Sequence, residues 1–327
     1  MQRFTGTNEA LEFLAWQLKA GQLVAIPTET VYGLAADALN EQACREIFAV
    51  KGRPLIDPLI VHVGSVAAAH RLAHWSPIAI ELANRFWPGP LTLVLPKQEI
   101  VPDLVTAGRP TVALRMPRHS LTLRLLSGYG LNLAAPSANP FGYVSPTTLD
   151  HVKVSLGDRL AWGLDGGPCE VGVESTIVAV SETGGVGLLR PGGVPTEALE
   201  AVVGAPIEDL RESAAEASTE GLVAPGMLAR HYSPRTPIAL FVAGEQPKVE
   251  TGEAVVWQQR PREAPAEGVS AFWLSEDGDL ATVARALFGM LRQMDSLPSS
   301  RVWFELAPEQ GLGRAINDRL RRAAAKR

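Results

Sequence analysis

Short apolar runs that stop abruptly at polar clusters dominate the first two thirds of the chain. Leu23–Ile26 breaks into Pro27-Thr28-Glu29-Thr30. Pro58–Val63 carries His62 near its end. Thr111–Met116 holds Arg115, Leu131–Pro136 runs into Ser137-Ala138-Asn139-Pro140, and Ser175–Val180 follows Glu174. Apolar runs of this length, bounded by turn residues, read as buried strands. A chain with many of them must build a sheet covered on its faces. Between them lie helical patterns. Leu11, Leu14, Ala15 and Leu18 recur at helical spacing, as do Ala43, Ile47 and Val50. Ser76-Pro77 opens a third helix with Ile80, Leu82, Ala83 and Phe86. Pro90–Leu95 and Val186–Arg190 add strands without strict alternation. The expected fold is therefore α/β, a twisted open sheet of mixed parallel and antiparallel strands with helices. Strand ends in such sheets are where ligands bind.

At 327 residues the chain is long for one domain. Its texture changes after about residue 205. Glu212–Gly221 is small, acidic and aperiodic, and Ala224–Pro237 (APGMLARHYSPRTP) mixes prolines with Met227, Arg230, His231 and Tyr232. Strand-like runs resume at Ile238–Ala243, Ala254–Gln258, Ser270–Leu274 and Arg301–Leu306. A helical stripe joins Leu280, Val283, Leu287, Met290, Leu291 and Met294. The expected division is residues 1–205, a linker or lid over 206–237, and a smaller Rossmann-like α/β domain over 238–327.

Composition narrows the function. Net charge is −5, which disfavours a strongly basic nucleic-acid binder; the locally basic tail Arg319–Arg327 reads as a solvated helix end. No apolar run approaches the roughly 18–20 residues that span a bilayer. The N-terminus, MQRFTGTNEA, has no apolar leader, so a cytoplasmic location is expected. Cys44 and Cys169 match no metal or redox spacing. Neither a P-loop nor a G-x-S-x-G elbow occurs, and Gly128-Tyr-Gly-Leu-Asn-Leu lacks the third glycine of a dinucleotide fingerprint.

What remains is a set of hydroxyls, arginines and a lysine at strand ends: Thr28, Glu29, Thr30, Lys51, Arg53, Asp57, His62, Thr111, Arg115, Ser137, Asn139, Ser145, Glu174, Ser175, Thr176 and Arg190. Each cluster alone has a plainer account as a turn, a cap or a satisfied core residue. Arg115 is the exception, because an arginine inside an apolar strand requires an anionic partner. Together the clusters suit a polyphosphate: cations neutralise it, while hydroxyls and backbone N–H groups take its oxygens. Nucleotidyl transfer needs little covalent chemistry from a protein beyond positioning and charge stabilisation.

The motifs PTETVYGLAADA, KGRPLIDPLIVH, WPGPLTLVL, LRMP, APSANPFGYVSPT, ESTIV, RPG and APGMLARHYSP follow in order across Pro27–Pro234. In this the chain resembles the threonylcarbamoyl-AMP synthases, with a YrdC-type domain first and the smaller C-terminal domain of the longer members second. The resemblance implies condensation of L-threonine, bicarbonate or CO2 and ATP into threonylcarbamoyl-AMP and pyrophosphate, with Mg²⁺ accompanying ATP. The product would feed threonylcarbamoyladenosine modification of tRNA through downstream transfer proteins, with direct tRNA binding weak at most. It also implies that Thr30, His62, Arg115, Ala135 and Ser175 contact threonine. Arg53, Asp57, Thr111, Ser137, Ser145, Arg190 and Tyr232 would contact ATP, with Lys51 facing phosphate. No residue is marked as a general base. Asp57 departs from the family's usual asparagine; a carboxylate there repels phosphate unless Arg53 or Mg²⁺ neutralises it. Two other readings remain open at this stage. One is a tRNA or double-stranded RNA-binding module, and the other a carbamoyltransferase, although the zinc motifs of the latter are missing.

Overall fold

The computed structural model describes residues 1–211, 224, 232–262 and 269–325. Strands β1 (Gln2–Phe4), β2 (Val24–Ile26), β3 (Gly33–Asp37), β4 (Ile60–His62), β5 (Leu91–Pro96), β6 (Thr111–Arg115), β7 (Leu133–Ala134), β8 (Trp162–Leu164), β9 (Thr176–Val180), β10 (Val186–Arg190) and β11 (Glu208–Asp209) form one sheet. Their order is β1-β8-β2-β3-β7-β4-β6-β5-β9-β10-β11. Pairing is mixed: β4 and β6 run parallel, whereas β7 pairs antiparallel with β4 on one side and β3 on the other. The sheet runs to Asp209, past the expected boundary at 205.

Alternation along the strands separates the two faces. On one face Ala25, Leu34, Ala36, Val61 and Leu114 pack with α2 (Glu41–Lys51), α3 (Val66–His70), α4 (Pro77–Phe86) and α5 (Asp103–Thr106), together with α7 (Leu149–Leu156) and α8 (Thr196–Val203). On the other, Val24, Ile26, Ala35 and Leu133 pack with α1 (Asn8–Lys19) and α6 (Ser120–Tyr129). Local signals fix these helices: Thr7 caps α1 by accepting from the Ala10 N–H, and Gly52 ends α2 at φ 63°. Beyond α1 and α6 the described residues of that second face include a small patch in which Ile60, Val94, Ala113, Ile177 and Leu189 meet Ala224. The site lies on this side of the sheet.

A second sheet, all parallel, has the order β12 (Ile238–Phe241), β15 (Val302–Glu305), β13 (Ala254–Gln259), β14 (Ser270–Ser275). It is covered by α9 (Leu280–Ser296) and α10 (Leu312–Ala324). The α9 stripe expected from sequence is buried at Val283, Leu287, Leu291 and Met294. Its apolar cluster does not stop at the second sheet. It takes in Val31, Val144 and Val173 from loops that connect strands of the first, together with Tyr232. Met227, Arg230 and His231 lie outside the described residues. Among the described residues, no helix is long and apolar enough to cross a membrane. Cys44 and Cys169 are both buried free thiols.

Candidate active site

The parallel register of β4 and β6 sets His62 opposite Arg115. Both point to the face that carries Ile60 and Ala113 and are almost fully buried. They border a narrow cavity of about 50 Å³ that opens to solvent. Of the residues expected from sequence, Thr30, Arg53, His62, Arg115, Ala135, Ser137, Ser175, Arg190 and Tyr232 line it.

The turn after β2 explains Thr-Glu-Thr. Thr28 Oγ1 donates to the Val31 carbonyl at 2.6 Å and accepts from the Thr30 and Val31 N–H groups, so it staples the turn. Glu29 points back to Arg115, with Oε2 2.9 Å from Nη2. The approach is close but poorly aligned, leaving Nη2 and both Glu29 oxygens without a hydrogen-bond partner. Thr30 faces the cavity. Glu29 thus holds the Arg115 fork in place, a role the sequence reading did not assign.

Burial, helped by the Arg115 charge, pushes the His62 ring down to about 3, so it is neutral at physiological pH. Its Nδ1 is buried without a hydrogen-bond partner, which suits a ligand group. Burial, then Arg292, pushes His151 down to about 4. In the unfolded chain both titrate near 6.5. Below that pH the unfolded state takes up protons the folded state refuses, so stability is full above about 6.5 and falls towards pH 4. We expect His62 alone to cost about 2 kcal/mol between pH 6.5 and 5. Urea midpoints across that range should show the decline, and His62→Asn should flatten it. An unchanged slope in His62→Asn would remove His62 as its cause.

On the far side Ser175 and Arg190 hold each other. Arg190 Nη2 donates to the Ser175 carbonyl at 3.0 Å and to its Oγ at 3.2 Å. Ser175 Oγ also lies 2.8 Å from Thr92 Oγ1, and the Gly193 N–H donates to the Glu174 carbonyl. The Ala135 N–H is already donated to the Ile60 carbonyl. Tyr232 sits at φ 61° with its ring stacked on Phe288 of α9, centroids 5.5 Å apart. Positive φ on a tyrosine persists only where surroundings hold it.

Four expected residues stand away from the wall. Lys51 Nζ donates to the Ser137 and Asn139 carbonyls at 2.6 and 2.5 Å. It pins the Ser137–Pro140 turn from behind, and burial pushes its pKa well down. Asp57 is fully buried, 2.8 Å from Arg53 Nη2, so the departure from asparagine is neutralised within the chain. Ser145 Oγ donates to Glu174 Oε1 at 2.7 Å. Thr111 opens β6 at the end opposite Arg115, about 13 Å along the strand. Glu174 lines the cavity though the sequence reading gave it no ligand role.

The basic tail differs most from expectation. Arg319 is fully buried rather than solvated, 2.8 Å from Glu174 Oε2, with its guanidinium over the Tyr232 ring. Arg322 pairs with Asp318 and Arg321 with Glu309. The available signal was periodicity: Arg319 falls on the α10 stripe with Ala315, Ile316, Leu320 and Ala323.

Two family models cover the chain. The Sua5/YciO/YrdC model, described as telomere recombination, matches residues 17–192. The model described as the threonylcarbamoyl-AMP synthase C-terminal domain matches residues 194–325. A threonylcarbamoyl-AMP synthase of Pyrococcus abyssi is 41% identical over 95% of this chain and 92% of its own length. The chain belongs to the threonylcarbamoyl-AMP synthase family. Its class is therefore that of a nucleotidyltransferase-type enzyme. The Bacillus subtilis synthase is likewise 41% identical, over 95% of this chain and 91% of its own. The crystal structure of P. abyssi Sua5 complexed with L-threonine superposes with a TM-score of 0.88 at 37% identity, covering 99% of this chain and 98% of that one.

Proposed function

We propose that the cavity makes threonylcarbamoyl-AMP from L-threonine, bicarbonate and ATP. One observation carries the reading: nine residues from seven motifs, each expected to touch threonine or ATP, converge on a single cavity. The Arg115 fork takes the threonine carboxylate, its direction set by Glu29. His62 stays neutral and offers its ring to the same substrate, beside Thr30. The threonine amine combines with bicarbonate to give a carbamate and water. A carbamate oxygen then attacks the α-phosphorus, and pyrophosphate leaves. Arg53 and Arg190 stabilise the charge that builds on the phosphates. Ala135 and Ser175 complete the threonine pocket and Ser137 and Tyr232 orient the nucleotide, while Lys51, Asp57 and Ser145 act by holding wall residues.

Among the described residues no cluster of His, Cys, Asp or Glu could hold a metal ion. The carboxylate on the wall, Glu174, is paired with Arg319. Mg²⁺ would then arrive on the triphosphate with its own waters, as that ion usually does. We assign the first sheet the chemistry and place the reaction in the cytoplasm, where the product passes to tRNA threonylcarbamoyl-transfer proteins. The burial of Arg319 removes a charge from the tail that a direct RNA-binding role would use.

Pyrophosphate release from ATP tests the reading, measured with and without L-threonine and bicarbonate. Release should require both. Release that ignores threonine would overturn it.

A further inference from the structure

One side of the cavity is held by a residue from far along the chain. Arg319 Nε donates to Glu174 Oε2 at 2.8 Å, and Nη1 donates to the Pro191 carbonyl at 2.9 Å and to Asp318 Oδ2 at 2.7 Å. Its guanidinium carbon lies 5.4 Å from the centre of the Tyr232 ring. Glu174 precedes Ser175, Pro191 follows Arg190, and Tyr232 is itself on the wall. Three separate stretches of wall therefore meet on one side chain from α10.

We propose that Arg319 is a positioning residue for the synthesis. It fixes the Glu174–Ser175 and Arg190–Pro191 turns and the face of Tyr232 in register, and so makes the second sheet a working part of the site. This rests on the reading that the cavity is where the reaction occurs. The chemistry of the residue fits the task. A guanidinium donates in fixed directions and stacks on an aromatic face at once, which an ammonium cannot do. Glu174 is gripped from both sides, Oε1 by Ser145 and Oε2 by Arg319. It cannot rotate without breaking both contacts. Apart from the adjacent Asp318, its partners are the wall residues Glu174 and Tyr232 and Pro191, which directly follows the wall residue Arg190. An arginine buried only to stabilise the fold would have no reason to select them.

The test uses the full chain carrying Arg319→Met, Arg319→Lys, Glu174→Gln, or Arg319→Met with Glu174→Gln. Steady-state kinetics are measured where circular dichroism shows each variant folded. Arg319→Met should lower kcat/KM by at least about tenfold, with KM for ATP or threonine rising as kcat falls. A smaller folded fraction would lower kcat alone. Arg319→Lys should recover part of the loss, and the double variant should lose less than the product of the single losses, because both act on one contact. Amide hydrogen exchange at Ser175, Gly192 and Gly193 should quicken in Arg319→Met while β2 and β3 stay protected. Kinetics within about twofold of the parent, a loss confined to kcat, multiplicative losses or unaltered exchange would each overturn the proposal. If Arg319→Met does not fold, Arg319→Lys decides by the same measures. A parent chain without synthase activity would defeat the functional reading, yet exchange would still decide the role of Arg319.

Discussion

Arg115→Met is expected to weaken L-threonine binding by about 30- to 5,000-fold while ATP affinity changes little. Truncating one partner of a buried charge-assisted contact costs about 2–5 kcal/mol. The site geometry localises that loss. Arg115 stands opposite His62 on β6, whereas Arg53 and Arg190 come from other elements and are untouched by the change. Stability is affected too, because Glu29 is 1% exposed and loses its cation. A stranded buried carboxylate costs about 3–5 kcal/mol. Adding Glu29→Gln should therefore restore much of the urea midpoint without restoring threonine binding. Calorimetry with each ligand separates the two effects. Unchanged threonine affinity in folded Arg115→Met would exclude Arg115 from the substrate site.

A single added methyl at Gly192 is expected to cost about 100-fold in kcat/KM. A Cβ built there lies 2.3 Å from the Ser175 carbonyl carbon and the Thr176 nitrogen, and 2.4 Å from the Glu174 carbonyl oxygen. All three are main-chain atoms, so no side chain can swing aside. The Arg-Pro-Gly turn must move off the Glu-Ser-Thr turn by about 1 Å, a misplacement of the kind that costs two orders of magnitude. Gly128, with nothing within 4 Å of an added Cβ, supplies the control: Gly128→Ala should keep its activity. Gly192→Ala with parental kinetics would mean that the two turns need not touch for turnover.

Apolar strand runs carried most of the fold in plain view. β3 is hidden because Gly33–Asp37 is built mostly from small residues that look like a loop, and β8 is too short to show a pattern, whereas β7 lies within the Leu131–Pro136 run that reads as a strand. The location of the site was legible because strands ended in polar clusters, which packing alone does not require. Direction was not legible. Thr28 and Thr30 carry the same hydroxyl two residues apart and both border the cavity, yet it is Thr28 that staples the turn to the Val31 carbonyl. Lys51 resembles a phosphate ligand by type, but its ammonium lies under the Ser137–Pro140 turn, tied to backbone carbonyls. Arg319 shows the same difficulty at longer range. Its charge suggested solvent, and only the stripe around it showed burial.

The contact between Glu174 and Arg319 spans 145 residues of chain, and a ribosome delivers its two halves at different times. At about 5–20 residues per second, Glu174 emerges roughly 7–30 s before the cation that neutralises it. The large sheet can assemble during that interval, since its strands up to β11 precede α9 and α10. The cavity wall cannot settle until α10 arrives. Competence is therefore acquired late in translation, and a nascent or prematurely ended chain that already has its main sheet carries an unfinished site.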